Sequence, residues 1–355
     1  MNRAWLAWLA VCALAVPALL PPAAAAALPD IRTAQDCASR YDFHCILTHT
    51  GTRPAEAHAR DRTELIRLVD WDAWSRLLVF LEFTRDRGGA LAVRIPAVNA
   101  DDQDIVAPIA PRTWRAALAA VARYRRLAIH PPPPEPVPPG EQRICITADG
   151  IGEQVELVLA GRVERIRSDD VHQPLDCFDP MEGLGIALRT AAVAAVPFCE
   201  RIAGGAPMQQ LEACRLLSGD RMAAADLYNS AGIFTSESCD QRGPVSHYLP
   251  SFAADAVLTI ADRPPVRGAA PAASAWLDFT CERREFYFMH AVSVAGGTGT
   301  VRGVIQASRQ DPAGKGRYLS SHADYAQRWT RGTGGGFLLA DFTIGAWSPE
   351  TGDPR

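Results

Sequence analysis

Four long stretches of alternating polar and apolar residues close this chain, at 286–294, 300–308, 318–330 and 337–347. Alternation with a period of two marks a strand with one buried face. Four such stretches in succession are satisfied most simply by an antiparallel meander. From His247 the order upstream of them is a helix ending near Asp255, a short hydrophobic strand through Ile260, a turn at 264–268 and an apolar helix around Trp276. One helix layer wrapped by a strongly curved antiparallel sheet encloses an apolar hollow, which is a pocket by construction. The fold class read from this order is α+β. A C-terminal cone of helices wrapped by a curved antiparallel sheet follows a small α+β domain of two hairpin–helix units.

The opening residues address the chain to a compartment. Met1 to Arg3 is a short positive start, Ala4 to Leu20 is apolar, and small residues precede a cleavage point near Ala27. That is the pattern of a secretory leader over residues 1–27, too short to span a bilayer. It predicts a periplasmic or secreted protein with no integral membrane span in the mature chain. Cys12 offers a lipoprotein reading, opposed by Val11 just before it and by the apolar run that continues past it. Of nine cysteines in the chain, only Cys12 lies in the leader. The remaining even set predicts disulfides in an exported chain. Proximity in sequence suggests the pairs Cys37–Cys45, Cys145–Cys177, Cys199–Cys214 and Cys239–Cys281. There is no C-x-x-C and no paired histidine spacing, so neither metal nor cofactor is expected. His44, His49 and His58 match no standard ligand set and are read as surface or structural. With 36 Lys+Arg against 40 Asp+Glu, mild acidity gives no electrostatic case for nucleic acid.

Residues 28–205 read as the N-terminal α+β domain. Thr63 to Val69, with Trp71 and Trp74, has the spacing of an amphipathic helix. Arg76 to Thr84, the turn 86–89 and Ala90 to Ile95 form a hairpin signal. Pro111 then opens a helix to about Leu127, with Trp114, Leu118, Val121 and Tyr124 at helical spacing. A second round follows: strands at 143–147 and 154–160, a possible third at 161–167, and a helix from Gly183 to Phe198. Glu153 and Glu156 lie three apart on a strand and therefore face opposite sides. Pro-rich residues 131–140 form a stiff spacer between the rounds.

Residues 206–355 form the C-terminal domain, and 208–347 resemble the nuclear-transport-factor-2-like superfamily in its SnoaL-like branch. The resemblance is carried by Phe252 to Leu258, by Arg267–Gly268 before the Trp276 helix, and by Tyr325 to Arg331 followed by Gly334 to Phe342. It implies a helix that ends and turns at Asp255. It also implies a functionally mixed family, spanning dehydratases, isomerases, cyclases and non-catalytic binding or dimerisation modules, so residues must decide function. Scytalone-dehydratase-like members carry a catalytic histidine on the first long strand, which implies His290 here. Their second histidine falls on Ala326, a departure that counts against dehydration.

Read as an unbroken strand, Phe286, Phe288, His290, Val292 and Val294 share one face, which puts His290 among apolar neighbours. On the next-to-last long strand, His322 and Asp324 share a face opposite Ala323, Tyr325, Gln327 and Trp329. Asp226 and Tyr228 precede an insertion at 229–244 and are placed on the first helix. Two readings stay open. One is an exported protein whose cone binds a small apolar molecule or a protein partner, with Trp276, Phe286, Phe288, Tyr325 and Trp329 lining it, and with homodimerisation as a further option. The other is a lyase or isomerase using His290 as general base with Asp226, Tyr228 or His322. A second titratable group within hydrogen-bond reach of His290 discriminates between them.

Overall fold

The computed structural model describes residues 33–38, 42–71, 77–130, 152–168, 180–234, 243–281, 284–310 and 318–352. The leader, the spacer 131–140, the strand expected at 143–147 and Trp74 lie outside the described residues. The fold is mixed α+β with two largely antiparallel, curved sheets.

The first sheet has the order β4-β3-β2-β1-β5-β6. Its strands are β1 (Glu64–Trp71), β2 (Leu77–Arg85), β3 (Leu91–Ile95), β4 (Ile105–Pro108), β5 (Gly152–Leu159) and β6 (Arg162–Ser168). The helix expected over 63–69 is instead the strand β1, paired with β2 on one side and β5 on the other. It is buried on both faces. A doubly buried strand loses the polar–apolar alternation that separates strand from helix, so its spacing misled. The hairpin β2–β3 stands as expected: Gly89 takes φ +86°, and Asp86 accepts the Ala90 amide at 2.7 Å. The second hairpin is β5–β6, turning through Ala160 and Gly161, both at positive φ. Because β5 pairs with β1, the two rounds share one sheet.

Helices α1 (Ala34–Ala38), α2 (Phe43–His49) and α3 (Ala55–Arg60) precede the sheet, and α3 packs on β1, β5 and β6. The ring of Cys37 and Cys45 closes with Cα atoms 5.5 Å apart. On the α3 side Arg67 is fully buried. Its Nε donates to Glu82 at 2.8 Å and its Nη1 pairs with Glu156. His58 is buried beside it, and burial followed by the nearby Arg67 and Arg53 charges holds its imidazole down to about 4. His49 lies near the sulfurs of Cys37 and Cys45, but those sulfurs are bonded to each other.

On the opposite face lie α4 (Pro111–Ile129) and α5 (Pro180–Ala195). Trp114, Val121, Leu184 and Leu188 join Ile66, Leu68, Leu81 and Phe83 in the core. Arg189 on α5 points its Nη1 between Asp70 at 2.6 Å and Glu153 at 2.8 Å. Glu153 fits because Gly185 has no side chain: a Cβ there would overlap the carboxylate. Glu153 and Glu156 therefore do face opposite sides of the sheet.

Helices α6 (Pro197–Glu200) and α7 (Pro207–Arg215) lead into the second sheet, with Cys199 and Cys214 joined and their Cα atoms 5.1 Å apart. Two of the four suggested disulfides are thus present. Cys145, Cys177 and Cys239 lie outside the described residues, as does the side chain of Cys281. The second sheet has the order β7-β10-β11-β12-β13-β8-β9. Its meander is β10 (Arg284–Ala295), β11 (Thr298–Gln310), β12 (Tyr318–Arg331) and β13 (Phe337–Ile344), as the alternation predicted. β7 (Leu217–Gly219) flanks β10, and β8 (Phe252–Ile260) lies parallel to β13 and pairs with β9 (Val266–Arg267). A short β14 (Thr351–Gly352) pairs with β12.

Helix α8 (Arg221–Gly232) precedes this sheet's long strands, and α10 (Ala269–Cys281) carries Trp276 as expected. The helix expected to end at Asp255 is shorter. It is α9 (Val245–Tyr248), followed by one 3-10 turn, and Phe252 already begins β8. Asp255 is an exposed strand residue, not a turn residue. Ala256, Leu258 and Ile260 alternate inward, a period of two that belongs to a strand.

The Asp70–Arg189–Glu153 group sets two carboxylates against one buried cation. Burial drives the Asp70 carboxyl up to about 6, opposed by Arg189. Its folded value exceeds the unfolded 3.8. It therefore contributes stability that is full below about pH 4 and lost as the pH rises through about 6. Asp70→Asn removes that loss and leaves Glu153 balanced by Arg189. Urea unfolding should find the stability of the variant relative to the parent higher at pH 8 than at pH 4. A relative stability that is unchanged or falls between pH 4 and pH 8 would contradict this.

Candidate functional site

β10 decides what the second sheet presents. Met289 pairs with Gly303 and Ala291 with Arg302, which leaves His290 as an unpaired extra residue. Such a bulge shifts every later side chain to the other face. Tyr287 and Met289 therefore share the packed face with Val292 and Val294, while Phe288 and His290 point outward. Phe288 is 44% exposed. This corrects the expectation of one continuous face from Phe286 to Val294. The side chain of Phe286 is outside the described residues. Gly303 makes the bulge possible: a Cβ there would overlap the Phe288 carbonyl and crowd the Tyr325 ring.

Among the described residues, the chain's own rings pack together between the sheet and its helices. Phe234 meets Trp276, Phe252 and Trp329 at centroid distances of 4.9, 5.5 and 5.6 Å. Tyr248 packs on Trp276 at 5.2 Å, and Tyr325 meets Tyr287 and Phe342 at 5.8 Å each. Trp276 and Trp329 are completely buried, and Tyr325 nearly so. The Trp329 indole donates to Gln327 at 3.1 Å. Edge-to-face contacts at these distances are those of a packed interior. Trp276, Tyr325 and Trp329, expected to line a ligand cavity, are core.

The expected acid–base residues do not converge. Asp226 is bound by Arg201, whose Nη2 lies 3.1 Å from its Oδ2. His322 is exposed on the outer face, with Nδ1 3.0 Å from the Ser348 hydroxyl. Among the described residues no hydrogen bond joins His290 to a second titratable group. Of the expected set, Tyr228 lines the same groove as His290, about 830 Å³ in volume, while Asp101 and Asp324 border a second hollow that His290 also lines.

That groove lies between α7, α8, β10 and the loop around Asn99 and Asp102. Phe288, His290 and the half-buried Tyr228 line it, as do Glu212 and Arg215 of α7. Burial raises the Tyr228 hydroxyl above its ordinary value, with a smaller push from Glu212. Arg215 is 4% exposed. Its Nη2 donates to the Leu78 carbonyl at 3.0 Å, and its Nε stands 3.7 Å from Asp102. Its Nε and Nη1 make no hydrogen bond. Burial lowers its pKa, while the charges of Asp102 and Glu212 act the other way. Asp102 is held in turn by the Val98 and Asn99 amides at 3.0 Å each, and Gln103 donates to the Arg215 carbonyl at 2.7 Å. Arg215 thus ties the loop of the first sheet to the helix that enters the second. Sequence reasoning missed it. The available signal was a charge in the buried stripe Leu211, Cys214, Arg215, where i, i+3 and i+4 share a helix face.

No protein-family model matches this chain, and no curated protein matches it. Solved structures match part of it. A ketosteroid isomerase-like protein from Erwinia carotovora atroseptica is 19% identical over 36% of this chain and 93% of its own, with a TM-score of 0.27. A nuclear-transport-factor-2-like protein with a cystatin-like fold from Novosphingobium aromaticivorans is 13% identical over 36% and 89%, with a TM-score of 0.27. A hexachlorocyclohexane dehydrochlorinase from Novosphingobium barchaimii is 16% identical over 38% and 90%, with a TM-score of 0.29. The resemblance read in the C-terminal sequence is therefore also found among solved structures, over little more than a third of this chain.

The Tyr325 hydroxyl is buried without a hydrogen-bond partner. An orphaned polar group costs its desolvation, so Tyr325→Phe should stabilise the protein by about 1–2 kcal/mol in urea unfolding. A loss of stability would mean the hydroxyl is satisfied, and that the interior is not filled as described.

Proposed function

We propose that this protein binds a small molecule in the groove between α7, α8 and β10, and that it does so without catalysis. One observation carries the reading. The hollow that a cone would offer is occupied by Phe234, Trp276 and Trp329, while the groove outside it is open and bordered by Tyr228, Phe288 and Arg215. Aromatic walls with a few placed polar groups are what small-molecule sites use. The lyase or isomerase reading needs a second acid–base group at His290; Asp226 and His322 are engaged elsewhere, and Tyr228 shares the groove without a hydrogen bond to His290 among the described residues.

The compartment fits an exported binder. Two disulfides favour oxidising surroundings, and no helix among the described residues is long and apolar enough to cross a membrane. Release through the leader 1–27, the division into 28–205 and 206–355, and homodimerisation belong to the same proposal. In it the first sheet supplies the Asn99–Asp102 wall.

Native mass spectrometry of the full chain, exported by a bacterial host, tests the reading. The expected result is a stoichiometric small molecule that Tyr228→Ala with Phe288→Ala releases, and that Trp276→Phe retains. A ligand kept by the double variant, or no ligand in any preparation, would overturn it.

A further inference from the structure

One end of the first sheet carries positive charge that its neighbours do not balance. Three turns meet there: the one leaving α3 at 60–63, the β2–β3 hairpin at 86–89 and the β5–β6 hairpin at 160–161. They border a hollow of about 600 Å³, lined by Arg60, Arg62, Arg85 and Arg87 against Glu64 and Asp86. Both carboxylates are in use. Glu64 lies 3.5 Å from Arg85, and Asp86 caps its hairpin by accepting the Ala90 amide at 2.7 Å. Asp61, between Arg60 and Arg62 in sequence, is bound by Arg53. Arg87 donates its Nε to the Asp61 carbonyl, which carries no net charge. Among the described residues Arg60, Arg62 and Arg87 form no salt bridge, and all three are exposed. The whole chain has 36 Lys+Arg against 40 Asp+Glu, so the excess is local and does not follow from composition.

Arg62 stands where the backbone would favour glycine. It follows the end of α3 at φ +56°. Its amide donates to the Ala59 carbonyl at 3.2 Å, and the Thr63 amide donates to the His58 carbonyl at 2.9 Å. That pair of bonds closes a helix through one left-handed residue, a place usually taken by glycine. A side chain there carries a steric cost. Arg60 already sets a cation at this helix end, where cations are favoured, so the helix itself gains little from a second one in the strained position. On the other two turns, a Cβ at Gly89 or Gly161 would meet nothing within 4 Å, so the space beside the arginines is open.

We propose that this hollow binds a phosphorylated small molecule by its phosphate group, with Arg60, Arg62 and Arg87 as the binding residues. A guanidinium fork matches phosphate oxygens two at a time. A dianion with several acceptor oxygens answers more than one unpaired cation, which a single carboxylate does not. The hollow shares no lining residue with the groove of α7, α8 and β10, and the proposal stands independently of that groove.

Titration of the full chain with inorganic phosphate and with acetate, followed through the amide NMR signals of Gly88, Gly89 and Gly161, tests this. Phosphate should bind about tenfold more tightly than acetate, and its affinity should fall as sodium chloride is added. Arg60→Gln with Arg87→Gln should weaken phosphate about tenfold. Arg62→Gly separates binding from folding. It should raise the urea midpoint, because glycine takes the left-handed conformation without strain, and yet weaken phosphate about tenfold. Arg123→Gln removes the same charge from the exposed surface of α4 and should leave phosphate within about twofold. Sedimentation with phosphatidylglycerol vesicles asks whether the phosphate belongs to a lipid, and the parent chain should stay in solution. Equal phosphate affinity in the parent and the Arg60, Arg62 and Arg87 variants overturns the proposal. So does vesicle binding without any response to free phosphate. Neither result touches the groove reading.

Discussion

Phe234, wedged edge-on among Trp276, Trp329 and Phe252, decides where anything else can bind. The curved sheet and its helices enclose a volume that has to be filled by something. Here the turn that follows α8 places the Phe234 ring in it, and α9 and α10 add Tyr248 and Trp276. Rings packed edge to face supply area and geometry together. With these rings buried there, the exposed Phe288 stands on the sheet's outer face beside the bulge.

Two local devices shape the groove. The bulge at His290 turns Phe288 outward while returning Val292 and Val294 to the core. It costs one unpaired residue and depends on Gly303, where any side chain would strike the Phe288 carbonyl. Arg215 supplies the second. Its guanidinium reaches the β2 backbone and lies beside Asp102, whose carboxylate shapes the loop from Val98. The adjoining Cys199–Cys214 bond holds α6 to α7 at the same place. The groove therefore stands on elements fixed by packing, a disulfide and a buried charge, which is the setting a preformed site requires.

Much of this was legible in the sequence, and the failures have a common cause. The meander was readable because β11 and β12 each have one wet face and one dry face, so their period survives. The helix at Trp276 and the one opened by Pro111 were readable from spacing. β1 was not, because both of its faces are buried and Arg67 and Asp70 sit where polar residues suggest a helix surface. β8 was hidden by the expectation of a helix reaching Asp255. The bulge left no trace, since one inserted residue changes neither composition nor hydropathy. His290 was therefore assigned to the wrong face by a correct rule applied to an irregular strand. Of the expected site residues, Tyr228, Phe288 and His290 do share a groove. Arg215 was overlooked because a lone arginine in a helix is usually a solvated one.

The central claim is that the hollow is closed and that ligand binding takes place at its edge. Intermolecular nuclear Overhauser effects between a ligand that co-purifies with the full chain and the protein's aromatic protons test it directly. The account predicts cross-peaks to Phe288 and Tyr228 and none to Trp276 or Trp329. Cross-peaks to either indole would place the molecule inside the sheet and contradict it.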